Sequence, residues 1–212
     1  MKRILIMSIC AICYISATSQ QNNSITSRIA YIKDAYKKYT IDYRLNSHMY
    51  ETKEIDFSYE YYNPILGLDD YYKDYSLEGS DGYGYKKRIT RYYRKPDNIL
   101  KKIEIYGMLD NNDTYTTQLV ECYYDSSGIY FIYVRDSQSS LFDFDTRSFP
   151  TSEYRFYFDE SGGCIKSLKK EYNCPSAESE TLSQTIKNIE FNYLECSSLL
   201  LEIKTLIEKY KE

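Results

Sequence analysis

The sequence Tyr123-Tyr124-Asp125-Ser126-Ser127-Gly128-Ile129 is the middle copy of a motif that the chain contains three times. The other copies are Tyr92-Tyr93-Arg94-Lys95-Pro96-Asp97-Asn98-Ile99 and Tyr157-Phe158-Asp159-Glu160-Ser161-Gly162-Gly163-Cys164-Ile165, at a spacing of roughly 31 to 34 residues. In each copy aromatic residues precede a turn and apolar residues follow it. Asp can accept a hydrogen bond from the backbone two residues on, and Gly adopts a positive φ without a Cβ clash. The motif therefore predicts three β-hairpins.

Between the turns, apolar and aromatic side chains alternate with a period of two, which is typical of β-strands. Ile129, Phe131 and Tyr133 fall on one face, and Ile132 and Val134 fall on the other. The pattern predicts strands over about 85–94, 98–107, 114–125, 128–135, 153–159 and 164–172. Because short turns join them, we expect one antiparallel meander of about six or seven strands within 49–172.

Helical spacing of apolar residues occurs at both ends of the chain. A first helix is predicted over 24–40, with Ser24 as its N-cap and Ile25, Ile29, Ile32, Tyr36 and Tyr39 on one side. A second is predicted over 176–211, with a seam of Leu182, Ile186, Ile189, Tyr193, Cys196, Leu200, Ile203, Ile207 and Tyr210. The predicted fold is α+β, with an N-terminal helix and a long C-terminal helix packed on one face of the sheet. The alternative is that the second seam forms a homodimer.

Residues 1–19 are predicted to be a secretory signal peptide. A basic start is followed by an apolar run from Ile4 to Ala17, too short to span a bilayer, and small residues favour cleavage after Ser19. No later stretch predicts a transmembrane segment. Residues 20–212 are therefore predicted to be a single α+β domain, exported to the periplasm or the cell exterior. A lipoprotein is the alternative.

The charge balance of the exported chain excludes some partners. Removing Lys2 and Arg3, the charged residues of 1–19, changes the formal net charge from −4 to −6. An acidic chain argues against a general nucleic-acid or anionic-membrane binder.

Four cysteines follow the predicted cleavage site: Cys122, Cys164, Cys174 and Cys196. An even number in an exported protein is compatible with disulfides. Cys164 and Cys174 are at opposite ends of one predicted strand, too far apart to join, whereas Cys196 returns on the predicted helix to the level of Cys164. If a disulfide forms, we predict Cys164–Cys196. The alternative is four buried thiols.

Tyrosine is the compositional outlier, with 27 residues against 8 Phe and no Trp. A ring with a hydroxyl suits half-buried strand faces, and also surfaces that bind sugars or proteins. The densest group lies in a Tyr-, Asp- and Gly-rich loop predicted over 62–84, followed by basic residues among tyrosines. The predicted binding residues are Tyr61, Tyr62, Tyr71, Tyr72, Tyr75, Tyr83, Tyr85, Arg91 and Tyr92. The alternative is that the acidic and basic segments neutralise each other on neighbouring strands.

The sequence carries little sign of catalysis. His48 is the single histidine, no Gly-x-Ser-x-Gly motif occurs, and no paired spacing for zinc or fingerprint for a nucleotide is present. We predict no catalytic residue, no metal and no cofactor. A pair of catalytic carboxylates needs no sequence signature, so that class of hydrolase stays open.

Three functions remain after these exclusions. The first is an exported, non-catalytic binding module for a glycan or a cell-envelope protein. The second is a small inhibitor or assembly factor that acts on an enzyme. The third is a carboxylate-type hydrolase.

Overall fold

The computed structural model describes residues 2–59, 84–110, 114–140, 148–175, 187–190 and 197–211. Its helices are α1 (Lys2–Leu45) and α2 (Ser197–Lys209), and a short 3-10 turn spans Ser47–Met49. Its strands are β1 (Tyr50–Tyr59), β2 (Gly84–Arg94), β3 (Ile99–Asp110), β4 (Thr114–Asp125), β5 (Gly128–Ser140), β6 (Ser148–Phe158), β7 (Cys164–Pro175) and β8 (Lys187–Glu190).

The strands form one sheet in chain order, β1 to β8, and every neighbouring pair is antiparallel. This confirms the predicted α+β meander. The six predicted strands correspond to β2 through β7, and the edge strands β1 and β8 are additional. Because each strand pairs with the next one in the chain, the hairpin turns determine the order of the sheet.

Two of the repeated turns are built in the same way. The Asp125 Oδ1 accepts hydrogen bonds from the Ser127 backbone N–H at 2.8 Å and from the Ser127 hydroxyl at 2.5 Å. The Asp159 Oδ1 does the same with Ser161, at 2.9 Å and 2.7 Å. Gly128, which follows the first of these turns, has a φ of 115°, a conformation that glycine adopts without strain. The repeated motif therefore specifies repeated hairpins, as predicted.

One face of the sheet, called the α2 face, carries the larger core. From the strands it buries Ile89, Ile103, Ile105, Val120, Cys122, Ile132, Val134, Phe156 and Phe158, and from α2 it buries Leu199, Leu200, Ile203 and Ile207. Alternate residues of each strand contribute to it, as a pleated strand requires. α2 is therefore anchored through its apolar side on its own sheet.

The prediction of a long C-terminal helix is wrong. α2 comprises only Ser197–Lys209. Within the predicted helical range, Lys187–Glu190 forms β8 and pairs with Leu168–Glu171 of β7. A free β7 edge would leave a row of backbone donors and acceptors without partners, and β8 satisfies part of that row. Segments 176–186 and 191–196 lie outside the described residues.

The opposite face, called the α1 face, is partly covered by α1. Ile32 is fully buried there against Tyr123, Tyr130, Phe131 and Tyr157, with Ile29, Tyr36 and Tyr39 packed around it. The predicted seam therefore contacts the sheet.

α1 begins and ends beyond the predicted 24–40 and is continuous through the predicted cleavage site, so the signal peptide stays a prediction. None of the helices in the described part of the chain combines the length and apolar character of a bilayer crossing.

Candidate functional site

The described part of the chain does not bring the predicted binding residues together. Arg91 and Tyr92 are neighbours in β2 and so face opposite sides of the sheet. Arg91 pairs in register with Ile103 of the α2 face. Tyr92 is 8% exposed, and its ring centroid lies 5.3 Å from that of Tyr43 in α1. The remaining residues, Tyr61, Tyr62, Tyr71, Tyr72, Tyr75, Tyr83 and the side chain of Tyr85, lie outside the description, so their role stays a prediction.

Many tyrosines of the α1 face pack against one another. Tyr39 lies edge-on to Tyr50 and Tyr123, with ring centroids 5.8 Å and 5.4 Å apart, and Tyr36 lies edge-on to Tyr123 at 5.1 Å. Edge-to-face pairs of this kind stabilise beyond their buried area. These tyrosines hold α1 on the sheet, which favours packing as the main use of the residue.

A charged network lies beneath this aromatic layer. The buried Lys102 ammonium donates to Glu104 Oε2 at 2.5 Å and to Glu121 Oε1 at 3.1 Å, and it lies 4.3 Å from the Tyr92 ring centroid. Burial would lower the pKa of Lys102, but the two carboxylates outweigh burial and raise it. Its donors are used within the protein, so we interpret this network as structural.

A polar cleft adjoins α1 near the two Asp turns. Its volume is about 620 Å³, and it contains Ser24, Ser27, Arg28, Tyr31, Asp125, Ser126, Ser127 and Glu160. Arg28 Nε donates to the Phe158 carbonyl at 3.1 Å and its Nη2 donates to Asp125 Oδ2 at 3.4 Å. Tyr31 adds a hydrogen bond of 3.3 Å to the same oxygen. Arg28 thus joins α1 to both turns and determines where the helix sits.

A second cavity lies where α1 meets β5 and β6. Its volume is about 340 Å³, and its lining residues, here called the aromatic groove, are Ile32, Lys33, Tyr36, Phe131, Tyr133, Arg155 and Tyr157. The Phe131 ring centroid lies 5.2 Å from those of Tyr36 and Tyr157, with the planes inclined at 63° and 52°. The rings therefore form a concave wall. Its size falls in the lower range of small-ligand sites, which are typically apolar with a few polar groups.

The register of the sheet explains the wall. Phe131 pairs with Tyr157, and Tyr133 pairs with Arg155. Paired residues share a face, so two cross-strand pairs place three rings and one guanidinium side by side. α1 supplies the opposite side, because Ile32 docks on the sheet and Lys33 and Tyr36 follow within a turn.

The polar edge of the groove is held in place by a buried acid. Glu153 accepts a hydrogen bond from the Tyr172 hydroxyl at 2.6 Å and from Arg155 Nη2 at 2.8 Å. Burial would raise the pKa of Glu153, but hydrogen bonds from Tyr172 and Tyr133 and the charge of Arg155 outweigh burial and lower it. Glu153 is therefore ionised at neutral pH and fixes the Arg155 side chain, which stays 41% exposed.

More basic residues continue from the groove along the α1 face. Arg135 and Lys170 pair in register with Glu153, and Lys166 pairs with Tyr157, so this face also carries these three cations. The part of the face that α1 leaves open is thus rich in cations, although the whole chain is acidic. A local surface charge of this sign attracts anionic ligands.

Part of the groove has a signal in the sequence. In the run Tyr154–Phe158, Arg155 and Tyr157 alternate with three aromatic residues, so this pair shares one face of the strand. What could not be anticipated is that α1 crosses this face beside Tyr157 and brings Lys33 to the same cavity as Arg155.

Two other predictions find less support: a carboxylate-type hydrolase, and a partner protein or second copy paired through the C-terminal helix. Asp125 and Glu160 both approach Arg28 in the polar cleft, at 3.4 Å and 3.8 Å. Burial would raise the pKa of Asp125, but hydrogen bonds from Ser127 outweigh it and the pKa is lowered, contrary to what a general acid requires. In α2 the seam residues Leu200, Ile203 and Ile207 are buried on the sheet, whereas Leu201, outside the seam, is largely exposed. Within the described residues no cluster of His, Cys, Asp or Glu suits a metal.

The predicted disulfide is not tested, because Cys196 lies outside the described residues. Cys164 lies in β7, beside the turn that follows Phe158, and its thiol approaches the Lys166 carbonyl at 3.5 Å. Cys122 is fully buried in the core of the α2 face, and burial raises the pKa of its thiol to about 12.

Comparisons of the chain with protein-family models, with curated proteins and with solved structures gave no match. The chemistry of the aromatic groove is therefore the basis on which a function can be assigned.

Proposed function

We propose that this protein is an exported, non-catalytic binding module that holds a saccharide ring in the aromatic groove. The observation that carries the proposal is the cavity of about 340 Å³ walled by the rings of Tyr36, Phe131, Tyr133 and Tyr157. A pyranose ring presents an apolar C–H face and a rim of hydroxyls. The wall suits the first, and the cations at the edge of the groove suit the second.

The rigidity of the groove supports binding rather than packing alone. Ile32 and the Arg28 contacts fix α1, and the sheet register fixes the rings of β5 and β6. A site that is already ordered loses little conformational entropy when a ligand enters, so more of the contact energy becomes affinity. Tyrosine is suited to such sites because a large rigid ring makes contact at low entropic cost.

The predicted signal peptide supports a location where glycans are abundant. A basic start, an apolar run and small residues before position 20 would direct the chain out of the cytoplasm. A saccharide of the cell envelope or the surroundings would then be the accessible ligand. A cell-envelope protein is the competing ligand, which a pull-down with envelope proteins would detect.

The test is a glycan array and an envelope-protein pull-down with the purified protein and two matched variants. Tyr36→Leu removes a ring from the groove, whereas Tyr31→Leu removes an exposed ring from the other flank of α1. We expect Tyr36→Leu to weaken saccharide binding about 2- to 13-fold, since an aromatic contact contributes about 0.5 to 1.5 kcal/mol. Tyr31→Leu should bind like the wild type.

Three outcomes would overturn the proposal: no saccharide binding, equal effects of the two variants, or binding to an envelope protein instead. Circular dichroism of each variant checks that the sheet is intact. Deleting 66–83 separates the groove from the predicted tyrosine-rich loop, because binding in the groove should survive the deletion.

A further inference from the structure

We infer that the aromatic groove selects an acidic sugar, whose carboxylate is bound between Arg155 and Lys33 while its ring lies against the aromatic wall. This inference rests on the proposed function and adds the chemical class of the ligand. The ligand it names is a uronic acid at the end of, or within, an oligosaccharide.

The Arg155 guanidinium is oriented before any ligand arrives. Its Nη2 donates to Glu153 at 2.8 Å, and its Cζ lies 6.0 Å from the Tyr133 ring centroid. Glu153 is in turn held by the Tyr172 hydroxyl at 2.6 Å. A guanidinium has five N–H donors in a planar fork, so most of them face away from this single contact. The fork matches the two oxygens of a carboxylate.

The second cation comes from the helix. Lys33 is exposed on α1 and borders the same cavity as Arg155. The seven lining residues include these two cations and no acid, and the ionised Glu153 that holds Arg155 lies beside them. The charge of Glu153 offsets part of the charge of Arg155, and Lys33 leaves the groove with a net positive charge. An anionic group therefore gains an attraction in the groove that a neutral or cationic group does not gain.

The wall favours a sugar acid over an acidic peptide. A carboxylate carried directly on a pyranose ring places an apolar C–H face next to the charged group, and the groove has Phe131 and Tyr157 next to Arg155. An Asp or Glu side chain would satisfy the cations and leave the rings uncovered. The cavity accommodates about one ring, and Lys166 and Lys170 on the same face lie where further acidic units of a chain would pass.

The experiment is titration calorimetry of the purified protein with tri-galacturonate, with its methyl ester as the neutral counterpart, and with a tri-glutamate peptide. We expect the methyl ester to bind about 10-fold more weakly or worse, since it lacks the charged oxygens that accept hydrogen bonds from Arg155 and Lys33. Arg155→Gln should weaken binding of tri-galacturonate by a similar factor. Lys33→Gln should weaken it about 3-fold and make the affinity depend less on salt concentration. The control Arg88→Gln, on β2 and four strands from the strand of Arg155, should bind like the wild type.

The outcomes separate this inference from the proposed function. Equal binding of the acid and the ester, or wild-type affinity of both Arg155→Gln and Lys33→Gln, overturns the acidic class and leaves the saccharide site standing. Tri-glutamate binding as tightly as the sugar acid overturns the sugar class. If neither saccharide binds, both proposals fail. If Arg155→Gln does not fold because Glu153 loses its partner, the exposed Lys33→Gln and the ester decide the matter.

Discussion

Replacing Ile32 by alanine removes the side chain at the centre of the contact between α1 and the sheet. Ile32 is fully buried among Tyr123, Tyr130, Phe131 and Tyr157. The change deletes an ethyl and a methyl group, each carbon worth about 0.8 kcal/mol when buried. With the cavity that remains, the loss in the free energy of unfolding should be about 3 to 4 kcal/mol. For a chain of this length that lowers Tm by about 6 to 16 °C.

The matched control is the same substitution at Ile41, on the same helix but 39% exposed. Alanine is the better helix former, so Ile41→Ala should change the free energy of unfolding by less than about 0.5 kcal/mol. Urea unfolding followed by circular dichroism and by tyrosine fluorescence measures both variants. Equal losses at the two positions, or a loss below about 0.5 kcal/mol at Ile32, would show that α1 does not dock on the sheet as described.

Three further predictions concern single side chains. Lys102→Ala should destabilise the protein by about 3 kcal/mol, because it leaves two partly buried carboxylates without their cation; adding Glu121→Gln should restore part of the loss in the same urea assay. Glu153→Gln should lower the free energy of unfolding most above about pH 4.5, the ordinary pKa of the carboxyl group. Because the pKa of Glu153 is lower in the folded protein than in the unfolded chain, its stabilising effect is complete above the unfolded pKa. The effect is lost as the pH falls through the folded pKa. A stability difference that stays constant from pH 7 to pH 3 would contradict this. Cys122 should resist iodoacetamide in the folded protein at pH 8 and react in urea, as mapped by mass spectrometry, since its thiol is buried with a pKa of about 12; rapid labelling of the folded protein would contradict its burial.

The central hairpins could be predicted because their signals are local. Asp125 and Asp159 each bond the backbone of their own turn, so the position of each turn depends on neighbouring residues alone. Strand alternation between the turns follows from the same local geometry. The α1 seam was also predictable, because spacing along a helix determines which residues share a side.

Features that depend on distant residues were not predictable. The segment Lys187–Glu190 has helical spacing in its sequence context, and the free edge of β7 recruits it as a strand. The groove likewise exists because α1 crosses β5 and β6, which no local pattern of Lys33 or Arg155 specifies. The tyrosine excess could be interpreted as packing or as binding: Tyr39 packs against other rings, while Tyr133 lines the groove that we propose as the binding site.

Nuclear magnetic resonance tests most directly whether the aromatic groove is a binding site. A titration of the isotope-labelled protein with tri-galacturonate, recorded on the tyrosine and phenylalanine rings and on the arginine Nε–H groups, reports contact at each side chain. We expect the saturable shifts to be largest at Tyr36, Phe131, Tyr133, Arg155 and Tyr157. Shifts centred on Arg28 and Tyr31, or no shift at a ligand concentration that saturates binding, would contradict it.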